Sequence, residues 1–277
     1  MKEFENRTVA ITGSTGGLGR QICFALAKGG ASLLLVDRNL KKSQSLAEEI
    51  QKEFPDTKID FVTMDLSSME SVQKAVEELK RKRFDSIVLN AGIFNVPLKE
   101  LDSGYNNIFQ INFVAQHKLL CELLKENKSG IKKVVAMGSI AHKWAKYREN
   151  DIDYSNEKNA NKIYGNAKKF LIYSLFDLAK KYPSVDFCPA HPGITLTSMT
   201  GHYPKWINWL VVGGMKILFP SPKKACRSVL TALNERCEFM QWVGPHIFNV
   251  YGKPKKQKLK YKQAEYDKII KEIEKRF

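Results

Sequence analysis

Two titratable side chains, Tyr164 and Lys168, stand four residues apart in the sequence and could together transfer a proton. Apolar residues recur at helical spacing from about 160 to 181, which predicts a helix over this stretch. Residues at positions i and i+4 of a helix lie on one face, so the ammonium would lie beside the phenol. A nearby positive charge favours the phenolate and lowers the phenol pKa from its usual value of about 10. The same spacing also arises by chance in many helices. Whether the pair is catalytic therefore has to be judged from the residues upstream.

A glycine-rich stretch near the N-terminus predicts a dinucleotide site. A short apolar strand, 8–12, precedes it, and a helical pattern begins near Leu18. Glycines in such a strand-to-helix turn allow a sharp bend and close approach of the backbone to a pyrophosphate. The phosphates would lie against N–H groups at the positive end of the helix. The residues predicted to contact the cofactor here are Gly13, Ser14, Thr15, Gly17, Leu18 and Gly19.

The acid at the end of the second predicted strand bears on the choice of cofactor. Asp37 follows the apolar run 32–36 and stands 18 residues after Gly19. A carboxylate at this point accepts hydrogen bonds from the adenosine ribose hydroxyls and repels a 2′-phosphate, which favours NAD. The adjacent Arg38 could instead pair with that phosphate, so NADP remains the alternative.

The remaining strands and helices alternate along the chain, which is typical of an α/β protein. We predict a Rossmann-type, doubly wound parallel sheet in a single domain that spans residues 1–277. Ligands of such sheets lie beyond the carboxyl ends of the strands, and Gly13, Asp37, Asp65, Asn90 and Ser139 all stand at such ends. The predicted strands are 8–12, 32–36, 59–63, 86–89, 133–137 and 242–250, the last with a turn at Gly244 and Pro245. After the helix that begins near Leu18, the predicted helices include 41–53, 69–83, 160–181, 222–235 and 261–275.

In the order and spacing of these residues the chain resembles the short-chain dehydrogenase/reductase family over essentially its whole length. The motifs that carry the resemblance are Thr12-Gly13-x-x-x-Gly17-x-Gly19, Asp65-Leu66, Asn90-Ala91-Gly92, Asn112, Ser139, Tyr164-x-x-x-Lys168 and the run from Pro192 to Thr197. Each motif is weak alone, but the ordered set is specific. The resemblance implies an NAD(P)-dependent oxidoreductase that interconverts a hydroxyl and a carbonyl.

The resemblance also implies a role for each matching residue. Tyr164 would donate or accept the proton, while Lys168 would lower the pKa of Tyr164 and hold the nicotinamide ribose. Ser139 would hydrogen-bond the substrate oxygen, and Asn112 would anchor a water molecule in a proton relay. The other cofactor-binding residues that it implies are Asp65, Leu66, Asn90, Ala91, Gly92, Pro192, Ile194 and Thr197.

The spacing of Ser139 and Tyr164 narrows the resemblance to one branch of the family. The two residues are 25 positions apart, more than in many family members, and this longer spacing resembles the retinol dehydrogenase-like branch. Members of that branch often carry an arginine that favours NADP, and Asp37 departs from that pattern. The family resemblance further implies a homodimer or homotetramer.

A protein that keeps this fold without catalysis, such as a dinucleotide-binding redox sensor or scaffold, is the alternative to an enzyme. The loss of any member of the set Asn112, Ser139, Tyr164 and Lys168 would favour it. All four are present.

Composition narrows the class of protein further. The chain has 277 residues, of which 43% are hydrophobic, and a net charge of +16. Its N-terminus lacks the apolar core of a signal peptide, so we expect a cytoplasmic protein. The five cysteines are scattered without a CxxC pair, which argues against a disulfide framework or a zinc site. No metal is predicted. His142 either packs within its loop, which we favour, or touches substrate, and His191 is expected to be structural.

Two regions near the C-terminus leave alternatives open. Residues from about 198 to 219 are rich in apolar and aromatic side chains, and the resemblance places a substrate lid there, which implies an apolar substrate such as a steroid or retinoid. The same stretch could be a helix that dips into a membrane surface, or an oligomer interface. Residues 253–277 are rich in lysine and form either a solvated face, which we favour, or a basic surface for an anionic membrane. Their lysines lack an interleaved aromatic platform, so no nucleic-acid partner is expected.

Overall fold

A single sheet organises the chain. The computed structural model describes residues 2–193, 222–247 and 251–277. Their strands are β1 (Thr8–Thr12), β2 (Ser32–Asp37), β3 (Ile59–Thr63), β4 (Ser86–Leu89), β5 (Lys133–Met137), β6 (Asp186–Ala190), β7 (Gln241–Ile247) and β8 (Tyr251–Lys258). They pair in the order β3-β2-β1-β4-β5-β6-β7-β8. Neighbours from β3 to β7 run parallel, and β8 runs antiparallel to β7. The predicted Rossmann-type sheet is confirmed.

Helices connect the strands and cover the faces of the sheet. In the described part of the chain they are α1 (Gly17–Lys28), α2 (Leu40–Glu53), α3 (Met69–Lys80), α4 (Asn107–Phe109), α5 (Ala115–Leu124), α6 (Ala160–Lys181), α7 (Pro222–Asn234) and α8 (Gln263–Arg276). A π-helical stretch, Gln110–Val114, joins α4 to α5, and a short 3-10 helix, Ile140–Lys143, follows β5. α6 has the bounds that its apolar spacing predicts.

The central strands are buried because helices pack on both of their faces. Every residue of β4 and β5 is buried, as expected of parallel strands that have no solvent-facing side. Successive side chains of a strand point to opposite faces. Ala10 accordingly lies in a core shared with α3, α5 and α6, whereas Val9 and Ile11 lie in a second core shared with α1 and α7. These two cores fix the positions of the strand ends.

The C-terminal part of the sheet differs from the prediction. Gly244 and Pro245 lie within β7 rather than in a turn, and neither β6 nor β8 is predicted from the sequence. β8 has the sequence Tyr-Gly-Lys-Pro-Lys-Lys-Gln-Lys. It lacks the alternation of a half-buried strand because it pairs only at the edge of the sheet, where lysine and proline are tolerated.

A disulfide bond joins Cys188 of β6 to Cys237, which lies between α7 and β7. The argument from the sequence against disulfides is therefore wrong for these two cysteines, whereas Cys23, Cys121 and Cys226 are free. The two bonded cysteines are 49 residues apart. That spacing carries no pairing signal, because their sulfur atoms meet only when the sheet brings β6 and β7 side by side.

The predicted lid, residues 198–219, lies outside the described residues, as do Ile194 and Thr197. Of the helices that the structure describes, none combines the length and the apolar character needed to cross a lipid bilayer.

Candidate active site

A cleft opens at the carboxyl ends of the central strands. β1 and β4 are neighbours in the sheet, and the helices that follow them, α1 and α5, pack on opposite faces. Doubly wound sheets bind ligands at such a switch point. The cleft has a volume of about 390 Å³. The predicted residues that line it are Gly13, Thr15, Gly17, Leu18, Gly19, Asp37, Arg38, Asp65, Leu66, Asn90, Ala91, Gly92, Asn112, Tyr164, Lys168 and Pro192.

Ser14 and Ser139 are not among the residues that line this cleft. Ser14 is fully buried, and Ser139 lies just past the end of β5. Several residues that line the cleft are missed from the sequence, namely Gly16, Val36, Met64, Ile93, Ile111, Met137 and Gly138. Val36, Met64 and Met137 stand at the ends of strands. The rule that ligands lie beyond the carboxyl ends of strands also predicts these three residues when it is applied to apolar side chains.

The glycine-rich loop is shaped by the absence of side chains. Gly13 has a φ of +67°, and a Cβ there would lie 2.8 Å from the Cα of Ala91. A Cβ on Gly19 would overlap the carbonyl oxygen of Gly13 and lie 2.8 Å from Nδ2 of Asn90. Gly17 differs, because a Cβ there would meet no protein atom within 4 Å. Gly13 and Gly19 therefore serve the fold of the loop, whereas Gly17 leaves open space in the cleft.

The variants Gly19→Ala and Gly17→Ala are expected to separate these two roles. Gly19→Ala overpacks the loop and should lower the free energy of unfolding by about 1–3 kcal/mol as well as weaken dinucleotide binding. Gly17→Ala should keep or slightly raise the stability of the dinucleotide-free protein, because an alanine fits this helical position, and should still weaken binding. Thermal denaturation and titration with NADH and NADPH, followed by fluorescence, measure both quantities. Wild-type affinity in Gly17→Ala would contradict this assignment.

Asn90 and Thr12 fix the ends of β1 and β4 relative to each other. Asn90 Nδ2 donates to the carbonyl oxygens of Thr12 and Gly13, at 3.0 and 2.8 Å. The hydroxyl of Thr12 accepts from the backbone N–H groups of Asn90 and Ala91, at 3.1 and 3.0 Å. These bonds hold the glycine-rich loop against the stretch Asn90-Ala91-Gly92 and so set the width of the cleft.

Asp37 is held by hydroxyl groups of the protein itself. Its side chain is 6% exposed, and it accepts hydrogen bonds from the hydroxyls of Ser14 and Ser43, the latter at 3.0 Å. Thr15 adds longer bonds of 3.4 Å from its N–H and its hydroxyl. Arg38, beside it, is exposed. Ser14 therefore contacts Asp37 rather than the cleft, and Ser43, in the first turn of α2, is a partner that the sequence analysis missed.

Hydrogen bonds hold the stretch Asp65-Leu66 in place from two sides. Oδ1 of Asp65 accepts from the N–H and the hydroxyl of Ser67, at 2.8 and 2.7 Å, which closes a tight turn after β3. Gln110, fully buried in the π-helical stretch, donates from Nε2 to the carbonyl oxygen of Leu66 at 3.0 Å. Gln110 thus links two walls of the cleft, a role that no local motif in the sequence signals.

Asn112 lies in the same π-helical stretch, a feature often found at functional sites. Its Nδ2 donates to the carbonyl oxygens of Ile93 and Ile108, both at 2.9 Å. Its Oδ1 accepts from the N–H of Ile93 at 3.3 Å, and a Cβ on Gly92 would lie 2.6 Å from that oxygen. Asn112 therefore anchors the loop after β4 beside Lys168, and its predicted role in holding a water molecule stays a prediction.

Tyr164 and Lys168 meet Ser139 where α6 crosses the end of β5. The ammonium of Lys168 lies 5.7 Å from the ring centroid of Tyr164. The ring of Phe94, missed from the sequence, packs edge-on against Tyr164 with centroids 4.7 Å apart. Ser139 caps the 3-10 helix Ile140–Lys143. That helix packs so closely on α6 that a Cβ on Gly165 would overlap the carbonyl oxygen of Ala141.

Burial controls the protonation of this pair. It raises the pKa of Tyr164 to about 12, although a hydrogen bond with the Ser139 side chain opposes the shift. Burial also lowers the pKa of Lys168 to about 7. The shift of Tyr164 is opposite to the expected one, because burial disfavours the phenolate and Lys168, with a pKa of about 7, is neutral where the phenol loses its proton. Tyr164 is thus a protonated group at neutral pH, and Lys168 can exchange its proton there.

Comparison with known proteins identifies the family. The model of the short chain dehydrogenase family matches residues 7–208. The chain belongs to the short chain dehydrogenase family. An uncharacterised oxidoreductase of Schizosaccharomyces pombe is 30% identical over 73% of this chain and 64% of its own length. Retinol dehydrogenase 12 of Mus musculus is 28% identical over 72% of this chain and 64% of its own length, which supports the expected branch. The chain thus spans less than two thirds of these two relatives.

A solved structure supports the fold of this member of the short chain dehydrogenase family. L-sorbose reductase from Gluconobacter frateurii, solved with NADPH and L-sorbose, is 19% identical and superposes with a TM-score of 0.62. The superposition covers 84% of this chain and 92% of that one. Since the identity is low, this likeness bears on the fold alone.

The two histidines near the site pack around one tryptophan. His142 meets the ring of Trp242 edge-on at 5.4 Å, and His191 stacks on it at 5.0 Å. Nδ1 of His142 lies 2.6 Å from the carbonyl oxygen of Ser139. Burial lowers the pKa of His142 to about 4, although that bond opposes the shift. Both histidines therefore support the end of β5, in agreement with the favoured interpretation of loop packing.

Proposed function

We propose that the protein is an NAD(P)-dependent oxidoreductase that interconverts a hydroxyl and a carbonyl on an apolar substrate. The observation that carries the proposal is the position of Tyr164 and Lys168 on the same cleft as the glycine-rich loop. A proton-transfer pair beside a dinucleotide loop is what such a reaction needs. The similarity to a retinol dehydrogenase supports an alcohol or carbonyl as the reacting group.

The cleft fits a nicotinamide dinucleotide in two respects. α1 begins at the cleft after Gly16, without a side chain that caps its first N–H groups, so these groups can bind a pyrophosphate. The open space at Gly17 admits that group next to the backbone. Asp37 or Arg38 would hold the adenosine ribose, Asp65 and Leu66 would flank the adenine, and Lys168 would bind the nicotinamide ribose. When bound, the nicotinamide ring supplies or accepts a hydride.

The chain's own residues manage the proton of the reaction. In carbonyl reduction the Tyr164 hydroxyl donates its proton to the substrate oxygen, and in alcohol oxidation the phenolate accepts it. The Ser139 hydroxyl donates a hydrogen bond to the same oxygen and fixes its position. Lys168, whose pKa burial lowers to about 7, is poised to return a proton to Tyr164. The raised pKa of Tyr164 keeps its hydroxyl protonated at neutral pH, the form that donates a proton in carbonyl reduction.

The substrate class rests on the sequence between residues 198 and 219, which contains Trp206, Trp209 and many aliphatic residues. We propose that this stretch forms a lid over a hydrophobic alcohol, ketone or aldehyde such as a steroid or retinoid. Turnover with NAD or NADP, measured against hydroxysteroids, retinol and aliphatic or aromatic alcohols, tests the substrate class. Turnover restricted to small polar alcohols would overturn it.

The non-catalytic alternative is a dinucleotide-binding sensor or scaffold. It predicts that NADH or NADPH binds with no turnover of any member of that panel. The presence of Asn112, Ser139, Tyr164 and Lys168 around one cleft and its rim favours the enzyme.

The variant Asp37→Ala is expected to shift the cofactor preference from NAD towards NADP. A charge-assisted hydrogen bond contributes about 1.5–3 kcal/mol, so the ratio of affinities should change by at least about tenfold. Ser43→Ala is the matched control, because it removes a hydroxyl that holds Asp37 and keeps the carboxylate. Titration of both variants with NADH and NADPH gives the ratio. An unchanged ratio in Asp37→Ala would show that Asp37 does not bind the ribose.

Peripheral contact with an anionic membrane is a further part of the proposal. β8 and the residues after it contain Lys253, Lys255, Lys256, Lys258, Lys260 and Lys262. All six are exposed. Lys256 pairs with Glu235 at 3.2 Å, and the other five form no ion pair within the described residues. Each lysine near such a surface contributes about 1 kcal/mol to binding, so this edge of the sheet suits an anionic lipid surface.

Replacing these five lysines by glutamine is expected to lower the partition onto vesicles of phosphatidylserine and phosphatidylcholine at least about 100-fold. Vesicle flotation measures the partition, and added salt should abolish it. A control variant loses the same charge from exposed lysines of the opposite part of the sheet, namely Lys28, Lys41, Lys42, Lys52 and Lys58. Equal losses in both variants, or a wild-type protein that does not float, would contradict a specific basic surface.

The homodimer or homotetramer implied by the family resemblance is also a proposal. Light scattering during size exclusion gives the mass of the particle in solution. A particle mass of 31.6 kDa, that of one chain, would contradict it.

A further inference from the structure

The C-terminal helix α8 packs across the outer side of α6, the helix that carries Tyr164 and Lys168. Tyr266 of α8 meets Tyr173 of α6 with ring centroids 5.3 Å apart. Ile269 and Ile273 of α8 are buried in the same core as α6. α6 is therefore covered by the sheet on one side and by the end of the chain on the other.

One polar junction lies inside this contact, around Lys169 and Glu265. Lys169 follows Lys168 directly and is 6% exposed. Its ammonium donates to Oε1 of Glu265 at 2.7 Å and to the carbonyl oxygen of Ala145 at 2.6 Å. The same carboxylate oxygen accepts from the backbone N–H of Tyr147 at 3.1 Å. Two backbone groups of the 145–147 segment thus meet α6 and α8 at one ion pair, in which Lys169 is buried and Glu265 is half-buried.

The position of this junction relates it to the reaction. The 145–147 segment follows the 3-10 helix Ile140–Lys143, which Ser139 caps. Lys169 is the next residue after Lys168 on α6. The junction therefore ties the segment that carries Ser139 to the helix that carries Tyr164 and Lys168. Removing Glu265 is expected to be costly, because it leaves the buried ammonium of Lys169 without its charged partner.

We infer that Glu265 is a positioning residue for the proton-transfer site, acting through Lys169 and the 145–147 segment. This inference rests on the proposed function of Tyr164 and Ser139. Glu265 stands 96 residues after Lys169, so the last helix of the chain becomes part of the catalytic scaffold. Small displacements of reacting groups cost large factors in rate, and a loosened junction lets Ser139 and Tyr164 move apart.

The test uses the full chain with Glu265→Ala, the conservative Glu265→Gln, Lys169→Met and the double variant Glu265→Ala/Lys169→Met. Glu274→Gln is the control, since Glu274 lies on the same helix and pairs with Lys181 at the surface. We expect Glu265→Ala to lower kcat about tenfold or more, with little change in KM for the dinucleotide, whose loop lies elsewhere. Glu265→Gln should recover part of the loss because the amide oxygen still accepts hydrogen bonds. Glu274→Gln should match the wild type.

Hydrogen exchange gives a second readout that does not require turnover. Amides 139–147 should exchange at least about tenfold faster in Glu265→Ala and in Lys169→Met, with no change in the glycine-rich loop. The double variant should lose no more than either single variant, because the two side chains act as one unit and neither charge is then left unpaired. Wild-type exchange and kcat in Glu265→Ala, or losses that multiply in the double variant, would overturn the inference. If the wild type turns over no substrate, the proposed function fails, while hydrogen exchange still decides whether the junction holds the segment.

Discussion

Tyr164→Phe is expected to lower turnover at least about 100-fold, the usual contribution of a positioned general acid or base. The substitution removes one hydroxyl and keeps the ring, so the edge-on contact with Phe94 and the packing of α6 remain. Dinucleotide affinity should stay close to that of the wild type, because the phenol lies at the reacting oxygen and not at the phosphates. Steady-state turnover and dinucleotide titration on the same preparation measure the two effects.

Tyr173→Phe is the matched control for this substitution. Tyr173 lies on the same helix, nine positions further on, and is 3% exposed, packed against Tyr266 of α8. The same loss of a buried hydroxyl there should leave turnover within about twofold of the wild type, since no proton transfer depends on it. Equal losses in both variants would mean that Tyr164 acts only through packing.

Lys168→Met is expected to have the second largest effect. Turnover should fall at least about 100-fold. Without Lys168 no ammonium can return a proton to Tyr164, and the nicotinamide ribose loses a hydrogen-bond donor. Dinucleotide affinity should fall as well, which distinguishes this variant from Tyr164→Phe. Turnover and titration with NADH and NADPH measure both losses. A Lys168→Met variant with wild-type affinity and wild-type turnover would show that Lys168 acts neither in dinucleotide binding nor in catalysis.

The same variant should be more stable than the wild type in the absence of dinucleotide, to a degree that depends on pH. Burial lowers the pKa of Lys168 to about 7 in the folded protein, against about 10.4 in the unfolded chain. Below about pH 7 Lys168 is charged in the folded protein, so burial of its ammonium lowers the free energy of unfolding by the full amount. Between about pH 7 and pH 10.4 the unfolded chain binds more protons, so the wild type gains stability as the pH rises. The advantage of Lys168→Met should be full at pH 6 and vanish near pH 10.4.

Urea denaturation of both proteins at several pH values measures this difference. Lys158→Met provides the control, because Lys158 is exposed and should show no such pH dependence. An advantage that does not change with pH, or a Lys168→Met variant that is less stable at pH 6, would contradict a buried lysine of lowered pKa.

Local signals in the sequence predict the parts of the site that lie on single elements. α6 is predicted with its observed bounds, because its apolar residues recur along one continuous stretch. The glycine-rich loop is predicted because Gly13, Gly17 and Gly19 follow a strand and precede a helix, so the signal and the structure occupy the same few residues. Asp65 and Asn90 are placed correctly at the cleft by the rule that ligands lie beyond strand ends.

Interactions between distant segments escape the sequence. Nothing near Asp37 signals that Ser43 would hold its carboxylate, and the bond between Lys169 and Glu265 joins residues 96 positions apart. The sequence-based prediction that the pKa of Tyr164 is lowered is wrong for a related reason. Charge proximity can be inferred from an i, i+4 spacing, but desolvation depends on packing around Tyr164 and Lys168 that only the fold supplies. β8 is missed because an edge strand does not need an apolar face.

Isotope transfer tests the central claim most directly. The wild-type protein would be given NADH or NADPH labelled with deuterium at the reactive ring carbon, together with all-trans-retinal and a steroid ketone. If the protein is an oxidoreductase of the proposed kind, the alcohol product carries the deuterium on its carbinol carbon, and Tyr164→Phe forms little of it. An alcohol that takes this hydrogen from solvent, or equal labelled product from the wild type and Tyr164→Phe, would contradict the account.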